Sequence, residues 1–166
     1  MRTCVFAGTF DPITKGHEYV IEKCLETFDK VVVAIGVNVD KTPMFTLSER
    51  VEFIKVSFKD NDRVEVATFD GMLVDFMKER GIYHTVRGLR DENDYKYETT
   101  MARYNVDMYP EVITLYIPTP VELTYISSSA IRNVISLKSD VSMYVPEGAK
   151  SLIEKAVKKG SVTNSD

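Results

Sequence analysis

The sequence predicts a single α/β domain, a doubly wound, Rossmann-like fold in which helices cover both faces of a five-stranded parallel sheet. Three observations predict it. Five short apolar runs rich in β-branched residues alternate with helical patterns, as expected of strand–helix–strand units joined by right-handed crossovers. The runs are mostly continuous rather than alternating, as strands buried on both faces tend to be. The chain has 166 residues, 44% of them apolar, the usual size of one domain and enough to bury roughly 70% of its unfolded surface without disulfide staples.

The first strand is Thr3–Ala7, and it runs into Gly8-Thr9-Phe10-Asp11-Pro12. A helix over His17–Phe28 follows, with Val20, Ile21, Cys24, Leu25 and Phe28 on one apolar stripe. Val31–Val37 is the second strand. Thr46-Leu47-Ser48-Glu49 has the form of a capping box and opens a helix with Val51, Ile54 and Phe58 inward. The third strand, Val64–Thr68, leads to a helix over Met72–Arg80 that Gly81 stops. Tyr83–Arg87 is the fourth strand and Ile113–Ile117 the fifth, with a helix over Asp94–Val106 between them. Helices over Ser127–Leu137 and about 149–157 complete the domain, placed at residues 1–157. The polar stretch 158–166 reads as a frayed tail.

Composition narrows the function. Lys and Arg number 21 against 25 Asp and Glu, a formal net charge of −4, which argues against coating nucleic acid by bulk charge. The longest apolar runs fall far short of the roughly 20 residues that span a bilayer, so no membrane partner is expected. Gly8, Asp11 and Pro12 come too early for a secretory signal. Cys4 and Cys24 form neither a disulfide framework nor a zinc motif, and His17 and His84 are the only histidines. The expectation is a reduced, cytoplasmic protein with no metal site of its own.

Doubly wound folds bind ligands beyond the carboxyl ends of their strands, so the segments after each strand carry the functional reading. After the first, Gly8 permits a tight turn, Thr9 offers a hydroxyl and an N–H, and His17 falls in the opening turn of a helix, where phosphate is favoured. The segment is neither a Walker loop nor G-x-G-x-x-G. Lys41 follows the second strand, and Asp70-Gly71-Met72-Leu73 forms an apolar lip after the third. Arg87-Gly88-Leu89-Arg90 ends the fourth. Two arginines there suit phosphate oxygens, or else pair with the acidic run Asp91-Glu92-Asn93-Asp94. His84, within that strand, reads as a core histidine. After the fifth strand, Ser127-Ser128-Ser129 opens a helix, where one serine would suffice as a cap. Cations, hydroxyls and backbone donors stabilise charge on a phosphoryl centre and do no covalent chemistry themselves. Direct phosphoryl or nucleotidyl transfer between two bound substrates fits them best.

Together Gly8-Thr9-Phe10-Asp11-Pro12 with Gly16-His17, Arg87-Gly88-Leu89-Arg90 and Ile126-Ser127-Ser128-Ser129 resemble the bacterial phosphopantetheine adenylyltransferase family of the nucleotidyltransferase superfamily. Lys41 to Arg50 and Asp94 to Glu98 resemble it too, and the likeness runs from about residue 3 to 157. It implies transfer of the adenylyl group of ATP to 4′-phosphopantetheine, giving dephospho-CoA and pyrophosphate in coenzyme A biosynthesis. It also implies in-line attack without a covalent intermediate, and a homohexamer. By the same resemblance ATP contacts Thr9, Phe10, His17, Gly88, Leu89, Arg90, Glu98 and the stretch Leu123, Thr124, Tyr125, Ile126, Ser127, Ser128 and Ser129. The acceptor contacts Thr9, Lys41, Leu73 and Arg87. His17, Lys41 and Arg90 take the catalytic roles, with Mg²⁺ carried mainly on the ATP phosphates. Lys15 stands where many members carry Asn, and Leu123 where the best-known members carry Trp. The competing readings are a sister nucleotidyltransferase with another phosphorylated acceptor and a nucleotide-binding module without turnover.

Overall fold

In a computed structural model, residues 1–37 and 42–163 are described. The strands are β1 (Thr3–Gly8), β2 (Lys30–Val37), β3 (Val64–Asp70), β4 (His84–Leu89) and β5 (Ile113–Pro118). The helices are α1 (Lys15–Thr27), α2 (Leu47–Ser57), α3 (Leu73–Glu79), α4 (Glu92–Met108), α5 (Ser128–Ser136) and α6 (Lys150–Thr163). All strand pairs are parallel, and the order is β3-β2-β1-β4-β5. The order reverses between β1 and β4, so the crevice for ligand opens beyond Gly8 and Leu89.

Two cores flank the sheet. On one face Cys4, Phe6, Val31, Val33 and Ile35 meet Val20, Ile21 and Cys24 of α1, Phe53 and Ile54 of α2, Ile131 of α5 and Ile153 of α6. On the other, Val5, Ala7, Val32 and Ala34 meet Val74, Phe76 and Met77 of α3. Alternate residues of one strand therefore feed opposite cores, which is why β1 and β2 read as unbroken apolar runs. Burial on both faces holds for these central strands and fails at the edges. In β5 no residue is buried, and Ile113 and Leu115 face outward, because an edge strand has a neighbour on one side only.

The caps follow the sequence closely. Thr46 and Glu49 form the expected capping box, and Gly81, at φ +63°, takes the left-handed turn after α3. The inward face of α2 differs from expectation. Arg50, Phe53 and Ile54 are buried there, whereas Val51 and Phe58 are only partly covered. Helix α4 forms but buries no residue. Helix α6 continues through Lys158 and Lys159 to Thr163, so helical structure crosses the boundary set at 157; nothing before Gly160 breaks the helix, and an exposed glycine costs only about 1 kcal/mol. No helix among the described residues is long and apolar enough to cross a membrane.

Candidate active site

The loop after β1 is fixed from several directions. The Phe10 backbone sits at φ +49°, a left-handed conformation that a bulky residue keeps only when its surroundings hold it. They do so here: the Phe10 ring is buried edge-on to Phe6 and His17, with centroids at 5.5 and 4.9 Å. Arg50, only 4% exposed, donates from a terminal guanidinium nitrogen to the Thr9 carbonyl at 2.8 Å. The Asp11 carboxylate, 3% exposed, accepts the Met44 and Phe45 N–H groups, each at 2.9 Å. Arg132 donates to the Asp11 carbonyl at 2.7 Å.

His17 is the third residue of α1, and Thr14 caps that helix. The Thr14 hydroxyl accepts the His17 N–H at 3.2 Å, while His17 Nδ1 accepts the Thr14 N–H at 3.1 Å. This is a capping box with histidine in the place of the usual Glu or Gln. With its Nδ1 lone pair engaged, the neutral ring carries its proton on Nε2 and acts there as a donor. Burial, helped by the Arg90 and Arg87 charges, lowers the His17 pKa to about 4. The ring is therefore uncharged at neutral pH, and Nε2 has no lone pair to serve as a base.

Both arginines of the fourth strand end are paired. Arg87 holds both oxygens of Glu98, from Nε at 2.8 Å and a terminal nitrogen at 2.7 Å, and donates with its other terminal nitrogen to the Ala7 carbonyl at 2.6 Å. Arg90 grips Asp94 through Nε and a terminal nitrogen at 2.9 and 3.1 Å. That hydrogen bond holds the Asp94 carboxyl below the usual carboxylate range and raises the guanidinium further. Gly88 between them admits helix α1, since a Cβ there would lie 2.9 Å from Val20 Cγ2.

The three serines divide their work. Ser127 caps α5 by accepting the Ala130 N–H at 3.1 Å; Ser128 donates to the Pro12 carbonyl at 2.8 Å; Ser129 accepts from Arg132 at 3.1 Å. Ser127 caps, Ser128 ties α5 to the β1–α1 loop, and Ser129 bonds within α5 to the arginine that reaches Asp11.

Two clefts result. The first, about 420 Å³, is lined by Gly8, Thr9, Phe10, His17, Arg87, Gly88, Arg90, Glu98 and Ile126 to Ser129, together with Asp11, Arg50, Asp94 and Arg132. The second, about 510 Å³, is lined by Phe69, Met72, Leu73, Met101 and Ala102, with Tyr97 and Asn105 as polar points. Gly8, Thr9, Arg87 and Glu98 belong to both. The expected site residues that are described thus gather at one place, with four exceptions. Leu89, Leu123, Thr124 and Tyr125 line neither cleft; Leu123 packs on the core, and Tyr125 is 67% exposed. Lys41 lies outside the described residues. Asp11, Thr14, Arg50 and Arg132 carry site geometry that the sequence reading did not single out. Among the described residues, no group of three or more His, Cys, Asp or Glu side chains is arranged to hold a metal.

Residues 5–134 match the cytidylyltransferase-like family. A phosphopantetheine adenylyltransferase of Heliobacterium modesticaldum is 42% identical over 146 residues, 88% of this chain and 87% of that one. A phosphopantetheine adenylyltransferase of Petrotoga mobilis is 38% identical over 160 residues, covering 96% of this chain and 99% of the relative. Among solved structures, a bifunctional NMN adenylyltransferase/ADP ribose pyrophosphatase of Francisella tularensis, complexed with AMP and a manganese ion, superposes with a TM-score of 0.69 at 16% identity. It matches 95% of this chain, which spans 51% of that larger protein, and at this identity the likeness concerns the fold.

Proposed function

The chain belongs to the phosphopantetheine adenylyltransferase family, and from that premise we propose that it transfers the adenylyl group of ATP to 4′-phosphopantetheine. A phosphate oxygen of the acceptor attacks the α-phosphorus in line, and the α–β bridging bond breaks. Pyrophosphate then leaves with the bonding electrons, and dephospho-CoA remains. The acceptor phosphate is already an anion, so the reaction needs no general base, in keeping with a His17 that can only donate from Nε2.

The observation that carries this reading is the pair of clefts meeting at Gly8, Thr9, Arg87 and Glu98. A polar chamber rich in donors opens beside an apolar one, as two substrates of different character require when they react directly. In the proposal the nucleotide occupies the first chamber, with its phosphates between His17, Arg90 and the amino end of α5. The acceptor arm lies along Leu73 and Met72, with its phosphate at the shared wall. His17 donates to the oxygen that gains charge on the α-phosphorus, and Lys41 and Arg87 hold the incoming phosphate. Asp11, Asp94 and Glu98 each face an arginine, so Mg²⁺ in this reading sits on the nucleotide oxygens, where it neutralises phosphate charge. A cytoplasmic homohexamer belongs to the same proposal, and sedimentation of the purified chain measures the assembly.

Incubating the chain with ATP and 4′-phosphopantetheine, then measuring pyrophosphate and dephospho-CoA, tests the reaction. Parallel mixtures with CTP and glycerol 3-phosphate, or ATP and nicotinamide mononucleotide, are expected to release little pyrophosphate. Faster release in either one would overturn the assignment of the acceptor.

A further inference from the structure

We infer that Arg50 is a positioning residue for the transfer: from helix α2 it fixes the plane of the peptide between Thr9 and Phe10, and so holds the donors of that turn in place for the phosphates. Its role rests on the reaction and the substrate placement proposed above.

Phe10 makes its left-handed turn, at φ +49°, between two carbonyls that each accept from an arginine. Arg50 donates from a terminal nitrogen to the Thr9 carbonyl at 2.8 Å, and Arg132 donates to the Asp11 carbonyl at 2.7 Å. The first bond sets the direction of a donor. The Thr9 carbonyl and the Phe10 N–H belong to one planar trans peptide and point to opposite sides of it, so whatever holds the carbonyl also aims the N–H. Thr9 lines both clefts and Phe10 the polar one.

Arg50 is itself firmly seated. It lies one turn into α2, where its N–H bonds the carbonyl of the capping Thr46 at 3.0 Å. Ahead of the cap, the Met44 and Phe45 N–H groups each reach the Asp11 carboxylate at 2.9 Å, and the Phe45 ring packs edge-on to Phe53 at 5.3 Å. Residues 44–50 thus grip residues 9–11 twice, through Asp11 and through Arg50. Packing alone does not account for a guanidinium here. Taking a cation out of water is expensive, and burial lowers the Arg50 pKa, with the Asp11 charge opposing. Nε is buried without a hydrogen-bond partner. Among the described residues, the Thr9 carbonyl is the one group to which the side chain donates, so its directed contact serves the loop.

Steady-state kinetics in both substrates, with amide hydrogen exchange of the full chain, tests this. Arg50→Met keeps most of the bulk and removes the donors. It is expected to lower kcat about 10–100-fold, the cost of a displaced group beside the chemistry, with KM for ATP and for 4′-phosphopantetheine each within about threefold. Arg50→Lys, whose ammonium can donate to the same carbonyl, is expected to restore kcat to within about fivefold of the unsubstituted chain. In Arg50→Met the Met44 and Phe45 amides should exchange about tenfold faster, because their acceptor Asp11 sits on the loosened loop, while the Phe53 and Ile54 amides keep their protection. Faster exchange throughout α2, or an equally low kcat in Arg50→Lys, would make Arg50 a packing residue and overturn its positioning role. So would an unchanged kcat, or a raised KM for one substrate alone, which would make Arg50 a ligand of that substrate. Arg50→Leu takes the place of Arg50→Met should that chain not fold, with the same losses expected. If the unsubstituted chain releases no pyrophosphate, the proposed reaction fails, and the exchange measurement still decides whether Arg50 holds the loop.

Discussion

Arg87 and Arg90 lie three residues apart at the end of one strand and meet opposite environments. Arg87, on β4, lines both clefts with its side chain 28% exposed, and its carboxylate partner Glu98, on α4, is 14% exposed. Arg90 sits at the rim, 39% exposed, paired four residues along the chain with Asp94. A rim pair of that kind is screened by water and salt and contributes little to stability. An enclosed pair holds a direction. The difference teaches that two residues of one motif can meet unlike surroundings, one enclosed at the wall shared by the clefts and one paired at a solvated rim. His17 feels both: after burial, the Arg90 and Arg87 charges lower its pKa.

The largest expected effect falls on that shared point. If His17 donates to charge that develops only in the transition state, His17→Ala should cut kcat by about 10²–10³ with little change in either KM. Steady-state kinetics in both substrates checks this. A wild-type kcat with a raised KM would make His17 an ordinary binding group and would remove the reason for placing it between two arginines.

The comparison itself predicts smaller, unequal losses. Arg87→Ala should raise KM for 4′-phosphopantetheine by about 10–100-fold and leave KM for ATP nearly unchanged, the loss expected of a charge-assisted contact worth about 1.5–3 kcal/mol. Arg90→Ala should act on the ATP side, by about tenfold or less, because the rim position is solvated. Raising salt from 50 to 500 mM should shrink the Arg90 effect more than the Arg87 effect. Equal losses for both substrates, or equal salt sensitivity, would show the two arginines to be one undivided site.

Much of this contrast was legible in the sequence, and the illegible part has a common cause. Short-range features came through: the capping box at Thr46, the stop at Gly81, the convergence of Thr9, His17 and Arg87 beyond their strands. These follow from periodicity, turn chemistry and the rule that strand ends carry the site. For Arg90 the competing reading, pairing with the acidic run that follows it, is the one the fold shows, because Asp94 lies only four residues on, in the first turn of α4. Arg87 was different. Its partner is eleven residues on and depends on how α4 returns across the sheet. Arg50 carries no local signal of burial in the sequence, and only the packed fold shows it buried and donating to the Thr9 carbonyl. Arg132 reaches Asp11 across 121 residues. Pairs of this kind depend on crossover geometry, which no local pattern encodes. The same holds for Leu89 and Leu123 to Tyr125, which neighbour the site in sequence and line neither cleft.

The smallest expected effect is a pH dependence, and it isolates the environment the two arginines create. His17 ordinarily titrates near 6.5 and in the folded chain near 4. Above pH 6.5 the ring is neutral whether the chain is folded or not, and contributes no slope. Between 6.5 and 4 the unfolded chain takes up a proton that the folded chain refuses, so stability falls as the pH falls through this window. Below about 4 both states are protonated and the slope ends. A full separation of this size corresponds to about 3 kcal/mol, and the partly exposed ring should realise somewhat less. His17→Gln keeps a neutral side chain able to accept from the Thr14 N–H, and it removes the titration. Carboxylates held low by their partners, Asp94 and Glu65 among them, lose stability on acidification too, but they do so equally in both chains and cancel in the difference. Urea unfolding of the two chains at pH 7 and at pH 4.5 should therefore show a smaller acid loss in His17→Gln. Identical losses would mean that the ring meets neither burial nor the arginine charges in solution. Adding Arg90→Ala should recover only part of the shift, because burial is the larger cause and Arg87 remains in place.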